Sequence, residues 1–425
     1  MRIRAGCPSA FASTANSCSS LPRGCGAFLR RGAQDSGTQG RRLIVKRRYI
    51  FRVAVNLGQQ RPHQSPRSIS DGGYNKFSSL FPSANAYDPA VHPHASLYAR
   101  VAIAAWSAST PAGSASAALS AVRAQRSHLG LDPNWGWMGT CSIAMDWPSH
   151  IATLANAVMP QQPGRLALGI GSSKGNLVAV DRQLRAHWNH QCGSNDSPLA
   201  VAPGDVTALT ARSLRLNSYL PCATAAACST GLACLLAGAD LLERGQADTA
   251  LVGAAEQTPT PWLMAGFSNS GVLCVQTPPQ AFAQATGFAP SSGAAIIALS
   301  TQLHQHPYRL CAGVRLGDAG HETHFTDPNT LHTALAALWD VAPRPDLIVC
   351  HATGTAHGDA YERAGLDAGP WSQVPRLCCK PWLGHSLGAS AAVELAVGLE
   401  TGLRRLWKMS LGFGGHLVAV AIERQ

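Results

Sequence analysis

Acidic side chains are almost missing from the start of this chain. Residues 1–98 hold fourteen Lys and Arg against three Asp and Glu, whereas the other 327 residues hold twenty of each. The formal charge of +11 therefore belongs to the leading segment, and the neutral body excludes a nucleic-acid reading based on whole-chain charge. Also missing is any CxxC pair among the thirteen cysteines, so no zinc knuckle is implied. In a chain of 425 residues, 46% of them hydrophobic, scattered cysteines read as buried thiols in a reducing compartment rather than as a disulfide framework. No apolar run approaches the roughly 18 residues needed to cross a bilayer. The stretch Leu43–Val55 is too short and too charged. Leu166–Gly175 runs into a Gly/Ser turn but lacks the spacing of a phosphate-binding loop.

What is present falls into two parts. Residues 1–96 are rich in Ser, Arg, Gly, Gln and Pro, have poor periodicity, and read as a basic disordered leader. A transit peptide or a misassigned start would have similar composition. The folded body opens near Tyr98. Strand-like segments at 98–106, 166–171, 247–255, 293–299, 312–316, 346–350 and 417–423 alternate with helix-like segments at 115–125, 230–244, 329–339 and 388–404. This alternation predicts α/β layering. The segment Thr230–Arg244 is apolar on nearly every face and so predicts a buried helix, ended by Gly245. Two similar halves, 97–300 and 301–425, would divide the body.

Four short strings carry the chemistry. Ala225-Ala226-Ala227-Cys228-Ser229-Thr230-Gly231 puts a thiol at a strand-to-helix junction, where a helix N-terminus favours the thiolate. Alone, Cys228 reads first as a buried structural thiol. Cys350-His351-Ala352-Thr353-Gly354-Thr355 puts an imidazole after an apolar strand, with two hydroxyls that face a ligand or only brace the loop. Lys380-Pro381-Trp382-Leu383-Gly384-His385-Ser386 adds a second imidazole, and a lysine near both would keep them neutral. Lys380 could instead pair with Glu362 or Asp359. Gly412-Phe413-Gly414-Gly415 is a turn whose glycines allow close backbone approach and an oxyanion-binding N–H.

In this order the four strings resemble the active-site strings of the elongating β-ketoacyl-[acyl-carrier-protein] synthases, the Cys-His-His type in the thiolase superfamily. The likeness spans roughly residues 98–425 and includes Leu241–Glu256 after the nucleophile and Gly358-Asp359 with Glu362 after the first histidine. It implies a five-layered α-β-α-β-α fold of two similar halves and a homodimer, or a heterodimer with a related synthase subunit. It implies that Cys228 takes an acyl group from an acyl carrier protein, and that His351 and His385 assist decarboxylation of a malonyl thioester. The N–H groups of Cys228 and Phe413 would hold the oxyanion. Lys380, Glu362 and Asp359 would order the site, and Thr353 and Thr355 would face the phosphopantetheine arm. Neither a metal nor a protein-bound cofactor is implied, since the substrates ride on the carrier's phosphopantetheine. A cytoplasmic setting follows, or an organelle if the leader is a transit peptide.

The resemblance departs at Ala352, where the family usually has glycine. It also departs in the shortened segments 130–165 and 280–293, the second of which lacks the expected Asp and Glu. Two other functions stay open at this point. One is a noncatalytic partner like the chain-length factors, which lack the nucleophile. The other is a cysteine hydrolase, in which His385 or His351, Lys380 and the glycine turn have no assigned role.

Overall fold

The computed structural model describes residues 94–141, 147–189, 205–283 and 286–425. Nearly all of the basic leader lies outside these residues. The described residues fall in one compact unit.

Ten strands make two groups of five. The first is β1 (Ala102–Ser109), β2 (Leu166–Gly171), β3 (Leu220–Pro221), β4 (Thr249–Glu256) and β5 (Gly293–Ser300). The second is β6 (Tyr308–Gly317), β7 (Leu347–Val349), β8 (Arg376–Leu377), β9 (Arg405–Gly412) and β10 (His416–Arg424). The spatial orders are β3-β2-β4-β5-β1 and β8-β7-β9-β10-β6, so each group places its own strands third, second, fourth, fifth, first. The directions match as well. In each group the second strand runs parallel to the third and fourth, and the fourth-fifth and fifth-first pairs are antiparallel. The two groups meet edge to edge where Ala102 and Ile103 pair with Arg309 and Tyr308. The repeat is thus structural.

The helices are α1 (Ala115–Arg123), α2 (Trp147–Val158), α3 (Leu177–Trp188), α4 (Asp205–Ser213), α5 (Thr230–Glu243), α6 (Pro261–Asn269), α7 (Thr330–Val341), α8 (Ala356–Asp367), α9 (Lys380–Leu383) and α10 (Ser390–Leu399). Helices α2 and α4 cover the outer face of the first group, and α7 with α8 covers that of the second. Between the groups lie α5 and α10. This gives the five layers that the resemblance implied. The strands alternate to serve them: Leu251 and Ala255 of β4 enter the outer core while Ala250 and Val252 enter the central one. Helix α5 is buried on nearly all sides, as its composition predicts, and Gly245 follows it at a φ of +67°.

The two central helices approach closely where small residues face. A Cβ on Gly231 would lie 2.7 Å from that of Ala392, so only glycine lets the N-terminal ends of α5 and α10 meet. Those ends carry the cysteine and the second histidine. Several elements were not foreseen, among them α2, α3, α4, α6, α8 and β9, the last of which fills the stretch between the helix read at 388–404 and the turn at 412–415; α10 stops at Leu399 rather than Arg404. Among the described residues, no helix is long and apolar enough to cross a membrane.

Candidate active site

Cys228, His351 and His385 come from three different connections and converge in the central layer. Cys228 sits in the tight turn between β3 and α5, directly after Ala227, whose φ of +44° is sterically costly for a residue with a side chain. Its Sγ lies 3.2 Å from His385 Nε2, and His385 Nδ1 lies 2.7 Å from Ser390 Oγ at the start of α10. His351 follows β7 and meets His385 edge to face, ring centres 5.6 Å apart. All three side chains are buried.

Two buried lysines and one buried glutamate surround the pair of imidazoles. Lys380 Nζ donates to Glu394 Oε1 at 2.5 Å, to the His351 carbonyl, and to His351 Nδ1 at 3.3 Å. An ammonium has three donors and no acceptor, so all three are used here and His351 must accept at Nδ1, leaving its proton on Nε2. Lys408 Nζ donates to Glu394 Oε2 at 2.6 Å and to the carbonyls of Met409 and Cys350 at 2.6 and 3.1 Å. Glu394 thus bridges both cations with its two oxygens. The sequence offered Glu362 or Asp359 as partner for Lys380; the structure gives Glu394 instead, one α-helical turn beyond Ser390. Ser410 Oγ donates to the Cys228 carbonyl at 3.1 Å, so β9 braces the nucleophile turn as well.

The two acids expected near His351 have backbone partners. Glu362 accepts from the N–H groups of His351 and Ala352, both at 2.6 Å, and burial raises its pKa to about 7. Asp359 accepts from Gly354 N–H at 2.9 Å and from Phe282 N–H at 2.7 Å. Together they pin the loop after His351. Ala352 adopts a φ of +44° there, which gives a physical reason why glycine would be the easier residue. The hydroxyls of Thr353 and Thr355 lie 2.9 Å apart, and both residues line a cavity of about 450 Å³ that Cys228, His351, His385 and Phe413 also line. Hydroxyl bracing and exposure to a ligand therefore coexist.

The electrostatics favour neutral groups. Burial, then the Lys380 charge, pushes both imidazoles well below the usual histidine range. Burial pushes the Cys228 thiol up to about 11, against opposing pulls from Lys380, Lys174 and the Phe413 N–H. The thiolate expected from the helix N-terminus is thus not the resting form, because loss of water outweighs the dipole in this buried turn. A neutral thiol beside a neutral imidazole has a measurable signature. Alkylation of Cys228 by iodoacetamide should quicken about tenfold per pH unit from about pH 7 to 10, since only the thiolate reacts. Peptide mapping across that range tests this, and a plateau near neutrality would contradict it.

Sequence reasoning brought out Cys228, His351, His385, Lys380 and Phe413, and the structure brings all five to one cavity or its wall. It missed Ser390, Glu394, Lys408 and Ser410. Glu394 and Lys408 did leave a trace, as single charges inside otherwise apolar segments.

Residues 170–304 match the family model of the β-ketoacyl synthase N-terminal domain. The 3-oxoacyl-[acyl-carrier-protein] synthase 2 of Vibrio cholerae is 27% identical over 271 residues, which cover 56% of this chain and 63% of that protein. The aligned part is thus less than two thirds of that relative's length. A β-ketoacyl synthase from Burkholderia phymatum superposes with a TM-score of 0.68 at 17% identity, covering 77% of this chain and 99% of the other. The ishigamide ketosynthase/chain length factor gives a TM-score of 0.65 at 18% identity, covering 78% and 100%. These two superpositions establish the fold.

Proposed function

We propose, from the premise that this chain belongs to the β-ketoacyl synthase family of the thiolase superfamily, that it catalyses decarboxylative condensation of an acyl thioester with a malonyl thioester. The observation that carries the reading is the approach of Cys228 Sγ to His385 Nε2 at 3.2 Å, beside a second imidazole whose Nδ1 is occupied by Lys380.

In the first half-reaction, His385 Nε2 accepts the Cys228 proton as Sγ attacks the carrier-bound acyl thioester. The oxyanion is held by the N–H groups of Cys228 and Phe413. The tetrahedral adduct collapses, the carrier thiol departs with the proton from His385, and the acyl group stays on sulfur. The Ser390 hydroxyl serves either tautomer of His385, because it can accept from Nδ1 or donate to it.

In the second, the malonyl C–C bond breaks, CO₂ leaves, and its electron pair forms an enolate on the thioester. Neutral N–H donors stabilise that charge, and His351 is held as one by Lys380. The enolate carbon attacks the Cys228 acyl carbonyl and expels the thiolate, which takes up a proton. The Lys380–Glu394–Lys408 cluster has a net charge of +1, which opposes protonation of the imidazoles and favours the transient anion.

On this proposal the partners are an acyl carrier protein and a second synthase subunit, identical or related, in the cytoplasm, within fatty acid or polyketide synthesis. Purified protein given malonyl- and acyl-loaded carriers should yield a β-ketoacyl carrier two carbons longer, read by mass. Decarboxylation without that product would favour the chain-length-factor-like role. Release of free acid alone would favour the hydrolase.

A further inference from the structure

Lys174 is a cation that the reaction above does not use. It lies in the turn between β2 and α3, and its side chain lines the same cavity as Cys228. Among the described residues its ammonium has no hydrogen bond or ion pair to a side chain.

The turn that presents it is firmly built. Buried Glu256, at the end of β4, accepts the Ser173 N–H at 2.5 Å and the Ser172 hydroxyl at 3.0 Å. Ser172 Oγ in turn accepts the N–H of Gly175 at 2.8 Å and that of Lys174 at 3.3 Å. Gly388 allows this packing, since a Cβ there would lie 2.6 Å from Glu256 Oε1. Both Glu256 oxygens therefore serve the turn. Ser173 lines the cavity beside Lys174, and its hydroxyl lies against the Glu256 carboxylate, whose charge also acts on Lys174.

The rest of the lining sharpens the contrast. Phe267, Val272, Phe288, Leu387 and Leu411 give it apolar walls, and no carboxylate lines it among the described residues. A cavity with these apolar walls and an ammonium that has no hydrogen-bonded anion complements a methylene chain that ends in an anion. The malonyl carboxylate fits the position poorly, because an ion pair to it would hold the ground state of a group that must leave as neutral CO₂.

We infer that Lys174 selects acyl groups bearing a distal carboxylate, so that this enzyme extends dicarboxylic half-thioesters in preference to simple fatty acyl ones. The inference rests on the condensing reading proposed above.

The test measures acylation of Cys228 by intact mass, with no malonyl extender present, using adipoyl- and hexanoyl-loaded carrier protein. Both donors carry the same phosphopantetheine arm, so any contact of Lys174 with the arm cancels in the ratio. The wild type should prefer adipoyl by about tenfold or more, the size expected for a hydrogen bond to a charged group. Lys174→Met should abolish that preference and Lys174→Arg should keep it. Equal rates in the wild type, or a preference that survives Lys174→Met, would overturn the inference while leaving the condensing reading intact. Failure of both donors to acylate Cys228 would remove the condensing reading, and this inference with it.

Discussion

Replacing Glu394 with Gln is expected to destabilise the fold by about 3–5 kcal/mol, the cost of leaving buried charge without its partner. The reason is the stoichiometry of the cluster. One carboxylate serves two ammoniums, with oxygens 2.5 Å from Lys380 Nζ and 2.6 Å from Lys408 Nζ, and all three side chains are no more than 3% exposed. The variant would leave two buried cations and no anion. Gln can still accept through its carbonyl oxygen, but its amide nitrogen faces a second ammonium, donor against donor. Lys408→Met should cost less. It strands the carbonyls of Cys350 and Met409, yet it leaves Lys380 and Glu394 as a neutralised pair. Urea denaturation of the three proteins gives the order directly: wild type most stable, then Lys408→Met, then Glu394→Gln. A Glu394→Gln protein within about 1 kcal/mol of wild type would mean that water or rearrangement relieves the cations, and that the cluster is less dry than its burial indicates.

The same cluster shows how far the sequence could be read. Cys228, His351 and His385 were legible because each sits in a short string whose neighbours have a reason to be small, and because the strings occur in order. Five layers followed from the resemblance, and α/β layering from the alternation of apolar segments. The partners were harder. Glu394 lies in Ala391-Ala392-Val393-Glu394-Leu395-Ala396, where the apolar pattern says only that the helix is buried. A lone acid in such a helix demands a cation, but sequence does not say which, and Glu362 and Asp359, which follow the first histidine string, drew Lys380 on paper. In the fold those two acids are taken by backbone N–H groups.

Lys408 and Ser410 were missed for a related reason. In β9, Trp407, Met409 and Leu411 face the outer core, while Leu406, Lys408 and Ser410 face the central layer. A buried strand with a lysine and a serine on one face reads as a surface segment until that lysine's anion is known. The thiol shows the opposite failing. Its position at a helix start suggested a thiolate, and only the extent of burial reveals that desolvation prevails.

The second large effect separates the two half-reactions. Cys228→Ala should lower condensation by at least ~10³-fold, because no other group can carry the acyl chain. Malonyl decarboxylation should survive in it within a few-fold, since that step uses the imidazoles and not the sulfur. His351→Ala should do the reverse: Cys228 still becomes acylated, while decarboxylation falls by about 10²–10³-fold with the loss of an N–H donor to the enolate. His385→Ala should impair both steps, as its Nε2 faces Cys228 Sγ and its ring stands against His351. Adding it to Cys228→Ala should lower condensation no further, because the two groups act as one unit. The decarboxylation rate should also be nearly flat from about pH 6 to 8. Both imidazole pKa values lie well below the usual range of about 6.5, so raising the pH across this window removes no proton from either ring. Carrier-bound intermediates resolved by mass measure each half-reaction separately. If Cys228→Ala lost decarboxylation as fully as condensation, or if His351→Ala left decarboxylation unchanged, the division of labour would be wrong and the second imidazole would be only a structural neighbour of the first.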